Sequence, residues 1–312
     1  LRKTLFDPDN GLLTRFSFWQ SPALLLCLAS FFWALNPIVG RAARDLLSPV
    51  SIAFWRWIIA LVIVAPFAWR HVRKDLPSIK QSLPFLTVLG AGGLGLFAYL
   101  VYASLQWTTA TNNLLLQATM PIMTLVMPAL IFRDRIPPLH YVCALISIGG
   151  IIWIMTRGDP TNLEIGALNR GDLLALAAVF LYAAYATFLR KAPTIHHLSL
   201  LSVLFAVGAS SLAIPYVGHL LVNGVSMPSP EAIGALLYVG IFPSLASYAL
   251  FNRAVSLIGS ARVGIYMNLP AVFGVTMAVP LLGERFEDYH FVGALMVVVS
   301  ILISRRTRVK VH

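Results

Sequence analysis

Apolar runs long enough to cross a bilayer follow one another along most of the chain, separated by short polar breaks. A helix needs about 20 mainly apolar residues to cross roughly 30 Å of hydrocarbon. Ten segments fit that description, over 23–40, 50–69, 83–104, 111–132, 138–155, 172–190, 198–222, 231–251, 257–282 and 289–304. The pattern predicts an all-α integral membrane protein of ten transmembrane helices with short loops and no separate soluble domain. Little more than Leu105-Gln106-Trp107-Thr108 divides the third span from the fourth. The first span follows a basic stretch, as a signal peptide would. It holds Trp33, Asn36 and Pro37 and lacks an Ala-x-Ala end, so it reads as a retained helix.

Composition agrees with the pattern: 58% of the 312 residues are hydrophobic, 11% are charged and the mean hydropathy is +0.80. A net charge of +11 invites a nucleic-acid partner. The basic residues lie between apolar runs instead of forming a basic domain, which argues against one. Sorting them by loop orients the chain. With the N-terminus in the cytoplasm, that side receives 17 Lys and Arg, the opposite side five (Arg41, Arg44, Arg157, Arg170, Arg285), and Arg56 is left over. Positive charge favours the inner side, so both termini are expected in the cytoplasm, with the N-terminal tail over 1–22 and a basic C-terminal tail over 305–312. Cys27 and Cys143 fall inside apolar segments, where cysteine behaves as a small hydrophobe; neither a disulfide nor a metal site is predicted.

The chain also matches itself. Arg41 pairs with Arg190, Pro66 with Pro215, Tyr99 with Tyr248 and Pro121 with Pro270, each 149 residues apart. After a one-residue adjustment the match continues at 150, joining Asp134-Arg135 to Glu284-Arg285 and His140 to His290. Two repeats are therefore expected over 23–157 and 172–304. Each has five spans, an odd number, so the second enters the membrane from the opposite side. Carriers built this way place substrate near the midplane where the halves meet.

The run Leu269-Pro270-Ala271-Val272-Phe273-Gly274, then Ala278-Val279-Pro280-Leu281-Leu282-Gly283-Glu284-Arg285, then Gly293-Ala294-Leu295 resembles the closing signature of EamA-type members of the drug/metabolite transporter superfamily. A weaker version, Met127-Pro128-Ala129-Leu130-Ile131-Phe132-Arg133-Asp134, closes the first half, and an arginine in the second span, as at Arg56, is another shared feature. Asp134 against Glu284, and Cys143 against Gly293, show that the halves are not interchangeable. Within the superfamily the aromatic content resembles the YddG-type exporters of aromatic amino acids. The resemblance implies alternating access, transport across the inner membrane, and an outward direction.

Polar groups inside a bilayer are unfavourable unless they face protein or water, so they mark the pathway. In the fourth span Asn113, Gln117 and Pro121 recur every four residues on one helix face; their repeat partners Arg262, Tyr266 and Pro270 keep the spacing in the ninth. Either stripe alone fits polar packing between helices. As a matched pair they point to a cavity lining. Trp33 pairs with Tyr182, Asn36 with Tyr185 and Tyr99 with Tyr248, all deep in their spans, where a tyrosine hydroxyl needs a partner. The substrate-binding set is thus Trp33, Asn36, Tyr99, Asn113, Gln117, Tyr182, Tyr185, Tyr248 and Tyr266, with Arg56, Pro121, Arg262 and Pro270 as gate or structural residues.

Arg56 lies about two turns into the second span, between Trp55 and Trp57. Its guanidinium either snorkels to the headgroups or turns inward as part of a gate. The acids are informative by placement: all twelve fall in loops or at span ends, so no mid-span carboxylate offers a proton-exchange site. Organic phosphates would want several buried cations, and only Arg56 qualifies, with Arg262 near a span end. A largely neutral solute with an apolar body, such as a zwitterionic amino acid, fits best. No His-Glu-x-x-His, Gly-x-Ser-x-Gly or Walker A pattern occurs, so neither an enzyme nor direct ATP drive is expected, and no cofactor or metal. The expected function is a secondary transporter moving amino acids, aromatic and other neutral ones, outward; the alternative is a carrier of other small metabolites or lipophilic compounds. Membrane lipids are the remaining partners.

Overall fold

The computed structural model describes residues 18–133, 137–160, 169–225, 227–258, 266 and 269–305, and among them every regular element is helical. Eleven helices follow a short turn at Phe18–Gln20: α1 Pro22–Ala42, α2 Pro49–Gln81, α3 Leu83–Trp107, α4 Ala110–Gln117, α5 Met120–Phe132, α6 Pro138–Met155, α7 Arg170–Leu189, α8 His197–Asn223, α9 Pro230–Ile258, α10 Leu269–Leu282 and α11 Asp288–Arg305. Seven are long and apolar enough to cross a membrane, and α4 with α5, bent by 41°, passes the same test as a pair, for up to eight. The expected ten spans are therefore not all met by length. Helix α10 is described from Leu269 on, residues 259–265, 267 and 268 lying outside the described ones, and the apolar stretch of α11 is the short segment Asp288–Ile303.

Several boundaries move for visible reasons. Helix α2 runs twelve residues past the expected end at 69, its basic extension Arg70, Arg73, Lys74 and Lys80 continuing the same helix beyond the apolar stretch. Helices α3 and α4 are joined by Thr108 and Thr109 alone, and the Thr109 hydroxyl caps α4 by accepting from the Asn112 amide at 3.0 Å. The fourth span, expected as one helix over 111–132, breaks at Ala118-Thr119. Pro121 sits in the first turn of α5, where its missing N–H leaves no bond unmade.

Two segments widen to π-helix, Ala91–Leu96 inside α3 and Phe242–Ala246 inside α9. A shift of 149 residues nearly superposes them, so the distortion belongs to the repeat. Their causes differ. In α9, Pro243 cannot donate to the helical ladder; in α3, Gly92, Gly93 and Gly95 weaken it, and a Cβ at Gly93 would collide with the ring of Tyr185. Each widened turn offers a carbonyl to an indole. Trp57 Nε1 donates to the Leu94 carbonyl (3.1 Å) and Trp33 Nε1 to the Pro243 carbonyl (3.0 Å), acceptors that are themselves 149 residues apart.

The packing is symmetric under exchange of the halves. Helix α2 lies along its counterpart α8, and α6 along α11; α1 against α9 is matched by α7 against α3, and α1 against α10 by α7 against α4 and α5. Between α6 and α11 the backbones meet at Gly150 and Gly293, where small residues permit close approach. The largest core joins α2, α3 and α8 through Trp57, Leu86, Leu94, Tyr102, Leu204 and Phe205, and exposed Val62, Phe67, Val88, Ile214 and Leu221 form the apolar outer surface expected of lipid contact.

Carboxylates fasten the halves at both ends of the bundle. Glu284 accepts from the Ala110 amide (2.7 Å), the Thr111 amide (2.9 Å) and the Thr111 hydroxyl (2.7 Å), neutralising the positive end of α4. Beside it His290 Nδ1 takes the Glu287 amide (2.9 Å), which leaves Nε2 to donate to the Asn112 carbonyl oxygen at 2.8 Å; Asn112 Nδ2 in turn donates to Asp172 at 3.3 Å, and the Thr108 hydroxyl also bonds Asp172. At the opposite end of α3, Asp75 accepts from the His196 amide (2.9 Å) and the Ser199 hydroxyl (2.7 Å) at the start of α8. Removing a carboxylate that, like Glu284, serves three part-buried donors costs about 1–3 kcal/mol. Glu284→Ala and Asp75→Ala should each lower the thermal midpoint of the detergent-solubilised protein by several degrees, while exposed Lys74→Ala leaves it unchanged. Wild-type melting of Glu284→Ala would show that α4 is held by its neighbours alone.

Candidate functional site

A cavity of about 160 Å³ opens where α1, α2, α3, α4, α5, α7, α9 and α10 converge. It is comparable with an engineered cavity of roughly 150 Å³ that takes up benzene, so it has room for an aromatic ring or a branched aliphatic side chain. Its wall is made by Trp33, Asn36, Arg56, Phe97, Leu114, Gln117, Ala118, Met120, Pro121, Tyr182, Tyr248, Pro270 and Ala271, drawn from both halves.

Arg56 turns inward and is only 6% exposed. Its Nε donates to Ser244 Oγ (2.7 Å), and its Nη1 to Asn36 Oδ1 (3.4 Å) and Tyr102 Oη (3.1 Å); Tyr102 also donates to Asn36 Oδ1 (2.8 Å). Ser244 lies in the widened turn of α9, where its hydroxyl donates to the Val239 carbonyl (2.8 Å) and turns a lone pair to the guanidinium. The arginine stacks over Trp57 at 4.8 Å, and Trp57 lies flat on Phe205 of α8. Trp55 points elsewhere, its Nε1 donating to Tyr216 Oη at 3.0 Å. Snorkelling is thus replaced by an inward bond to three neutral groups on α1, α3 and α9. Among the described residues Arg56 has no carboxylate partner, and its Nη2 donors make no hydrogen bond.

The aromatic wall is ordered by contacts between its rings. Trp33 meets Tyr248 at 5.7 Å, nearly perpendicular, and Phe97 meets Tyr182 at 5.4 Å. Gln117 ends α4 and donates through Nε2 to Asn113 Oδ1, while Asn113 donates to Ser104 Oγ at 2.7 Å. That chain engages the amide nitrogen of Gln117, a residue of the cavity wall.

Of the residues expected from sequence to bind substrate, the fold brings Trp33, Asn36, Gln117, Tyr182 and Tyr248 together, with Arg56, Pro121 and Pro270 beside them. Tyr99 is a correction: it is 36% exposed on the outer face of α3, and Tyr102, three residues on, takes the inward place. The repeat register put Tyr99 opposite Tyr248, but the two widened turns are offset by one to two residues, which rotates the helices differently. Asn113 is buried behind Gln117 instead of on the wall, and Tyr185 packs against Tyr182 and Gly93 outside it. Tyr266 also stays off the wall; its backbone carbonyl lies 3.5 Å from Ser30 Oγ. Arg262 lies outside the described residues. Ser244, Tyr102 and Phe97 escaped the sequence reading. A proline beside Ser244 and the i, i+3 spacing of Tyr99 and Tyr102 were the signals available.

Comparison with known proteins gives the family. The family described as EamA-like transporter family matches the chain twice, over residues 20–156 and 169–306. The chain belongs to the EamA-like transporter family. It is 27% identical to an uncharacterized transporter of Archaeoglobus fulgidus over 90% of this chain and 96% of that protein. It is 24% identical to the uncharacterized transporter YyaM of Bacillus subtilis over 82% and 84%. The uncharacterized inner membrane transporter YhbE of Escherichia coli is 21% identical over 90% of each. A solved crystal structure, 16% identical and covering 90% of this chain and 95% of its own, superposes with a TM-score of 0.60 and shows the same fold. The chain is therefore a multi-pass membrane transporter, not an enzyme, and its substrate is a small molecule.

Accessibility tests the geometry without any assumption about substrate. With Cys27 and Cys143 replaced by alanine, a cysteine at Gln117 or Tyr182 should react with a water-soluble methanethiosulfonate, and one at Tyr99, facing lipid, should not. Labelling at Tyr99 but at neither wall position would displace the cavity from the transport path.

Proposed function

We propose that this EamA-like transporter is a secondary, non-ATP-driven carrier of amino acids, aromatic and other neutral ones, working outward across the inner membrane by alternating access. Its architecture on this reading is ten transmembrane helices in two inverted five-helix repeats, with both termini in the cytoplasm. The paired widened turns, the exchange symmetry of the packing and the 17-to-five distribution of basic residues support that architecture. The single observation that carries the substrate class is Arg56: a buried guanidinium in an aromatic wall, bonded to Ser244, Asn36 and Tyr102, with its Nη2 donors bonded to no group among the described residues.

The chemistry follows from what a buried cation needs. A guanidinium out of water is unfavourable until an anion pairs with it, and a carboxylate matches its planar fork. One cation in the wall accommodates one carboxylate and offers nothing to a second phosphate or carboxylate charge. The rings of Trp33, Phe97, Tyr182 and Tyr248 take the apolar side chain, and Gln117 with the tyrosine hydroxyls supplies neutral polar contacts. The outward direction follows the resemblance to YddG-type exporters. Alternating access assigns the Glu284 and Asp75 fastenings, at opposite ends of the bundle, to the contacts that open in turn.

Counterflow in proteoliposomes with amino acids, amines and phosphorylated sugars tests the substrate class: phenylalanine, tryptophan and leucine should exchange, and sugar phosphates should not. Arg56→Ala should abolish exchange, and Arg56→Lys should reduce it about tenfold or more, since a point charge replaces a fork held by three partners. Exchange of sugar phosphates in preference to amino acids would overturn the proposal. For orientation, a cysteine at Lys74 should be shielded from an impermeant thiol reagent in intact cells and one at Glu164 should label; the reverse pattern would invert the direction of transport.

A further inference from the structure

The charge balance of the cavity goes further than the need for a carboxylate. Its thirteen wall residues include one permanent cation, Arg56, and no acid. In the sequence, the stretch 259–268 that precedes Leu269 contains no Asp or Glu either; its ionisable side chains are Arg262 and Tyr266. The acids among the described residues are engaged or placed elsewhere: Glu284 on α4, Asp172 with Thr108 and Asn112, Asp75 at the start of α8, Asp45 beside Arg44, Glu231 in the first turn of α9, Asp159 beyond the end of α6, and Glu287 and Asp288 at the start of α11. A zwitterion would thus bring its ammonium into a low-dielectric space that already holds a guanidinium, with no carboxylate to receive it.

Neutral acceptors do not remedy this. Asn36 Oδ1 already accepts from both Arg56 and Tyr102, and Ser244 Oγ donates to Val239 while accepting from Arg56. What remains is the Gln117 carbonyl oxygen and the hydroxyls of Tyr182 and Tyr248. The hydroxyls also donate, so they serve a keto or hydroxyl oxygen at the 2-position as readily as an ammonium. Aromatic faces attract a cation, but the edge-to-face contact of Trp33 with Tyr248 and the tilted contact of Phe97 with Tyr182 already occupy part of them.

We propose that the site recognises a carboxylate on an aromatic or branched apolar body and merely tolerates the ammonium, so that 2-keto and 2-hydroxy monocarboxylic acids with such bodies are substrates, and better ones than the corresponding amino acids. The inference rests on the carboxylate reading of Arg56 and extends it to a class without the amino group. It makes the carrier selective for net charge −1. Reactions that remove or replace the amino group of aromatic amino acids, such as transamination, are the class that would supply such solutes.

Wild-type protein in proteoliposomes is compared with phenylalanine, phenylpyruvate, phenyllactate and phenethylamine, each as the counterflow substrate, at pH 7 where both acids are fully ionised. Phenylpyruvate and phenyllactate should half-saturate at concentrations about fivefold or more below phenylalanine, because they pair with the guanidinium without introducing a second buried cation. Phenethylamine should not exchange. Gln117→Glu, which places a carboxylate on the wall, should narrow or reverse the preference towards phenylalanine. Thermal stabilisation of the detergent-solubilised protein by the same four compounds gives a second readout that does not need transport. If phenylalanine exchanges and stabilises while phenylpyruvate does neither, or does so more weakly, the inference is overturned and the amino-acid proposal stands. If the keto acid is carried in an Arg56-dependent way and phenylalanine is not, the amino-acid proposal falls and the inference holds. Exchange of phenethylamine at the rate of phenylalanine overturns both.

Discussion

A guanidinium buried between the two halves is the constraint around which this transporter is arranged. Arg56 enters on α2, but the groups that hold it come from α1, α3 and α9, so neither half satisfies it alone. Each of these partners has its own reason for its position. Asn36 lies one turn beyond Trp33 on α1, on the same face. Tyr102 is reached because α3 is rotated by the glycine-rich widened turn, and Ser244 because Pro243 forces a similar widening in α9. The two backbone irregularities thus bring polar groups to the cation and, through the Leu94 and Pro243 carbonyls, anchor the neighbouring indoles. A helix distortion that weakens the ladder locally is offset by the side-chain bonds it makes possible.

The rest of the bundle keeps this centre dry on its flanks and joined at its ends. Helices α2 and α8 pack along one another beside Arg56, with Trp57 stacked on Phe205. The ends are joined by groups that cross between the halves: Glu284 on the start of α4, and Asp75 on the start of α8. Helix α4 shows how far such satisfaction extends. It carries Thr111, Asn112 and Asn113, yet it is buried from Ala110 to Leu116, because Glu284, His290, Asp172 and Ser104 meet those groups. Acids that the sequence placed at span ends are thereby interhelical fasteners, a role compatible with breakage during a conformational cycle.

Much of this was legible from the chain. Hydropathy located seven of the ten expected spans, or eight with the bent α4–α5 pair, because backbone in lipid must be helical, and the 149-residue self-match points to the repeat because both copies solve the same packing problem. The deep polar and aromatic residues Trp33, Asn36, Gln117, Tyr182 and Tyr248, singled out by repeat pairing and the polar stripe, line one cavity. What escaped was rotation about helix axes. A single widened turn shifts every later side chain by a fraction of a turn, which moved Tyr99 outward and Tyr102 inward, and no periodicity argument anticipates a turn that does not follow the 3.6-residue repeat. The break between α4 and α5 had a clearer signal in Pro121. Partners were equally hidden: nothing in the local sequence connects Arg56 with Ser244, 188 positions away.

The central claim is that Arg56 receives the carboxylate of a solute whose apolar body lies among Trp33, Phe97, Tyr182 and Tyr248. A crystal structure with 4-bromophenylalanine, phased at the bromine absorption edge, tests it most directly. The account predicts an anomalous peak within the aromatic wall and carboxylate density within hydrogen-bond distance of the Arg56 guanidinium. A bromine site beside Arg56 with the carboxylate directed away, or ligand bound wholly outside the cavity, would contradict it.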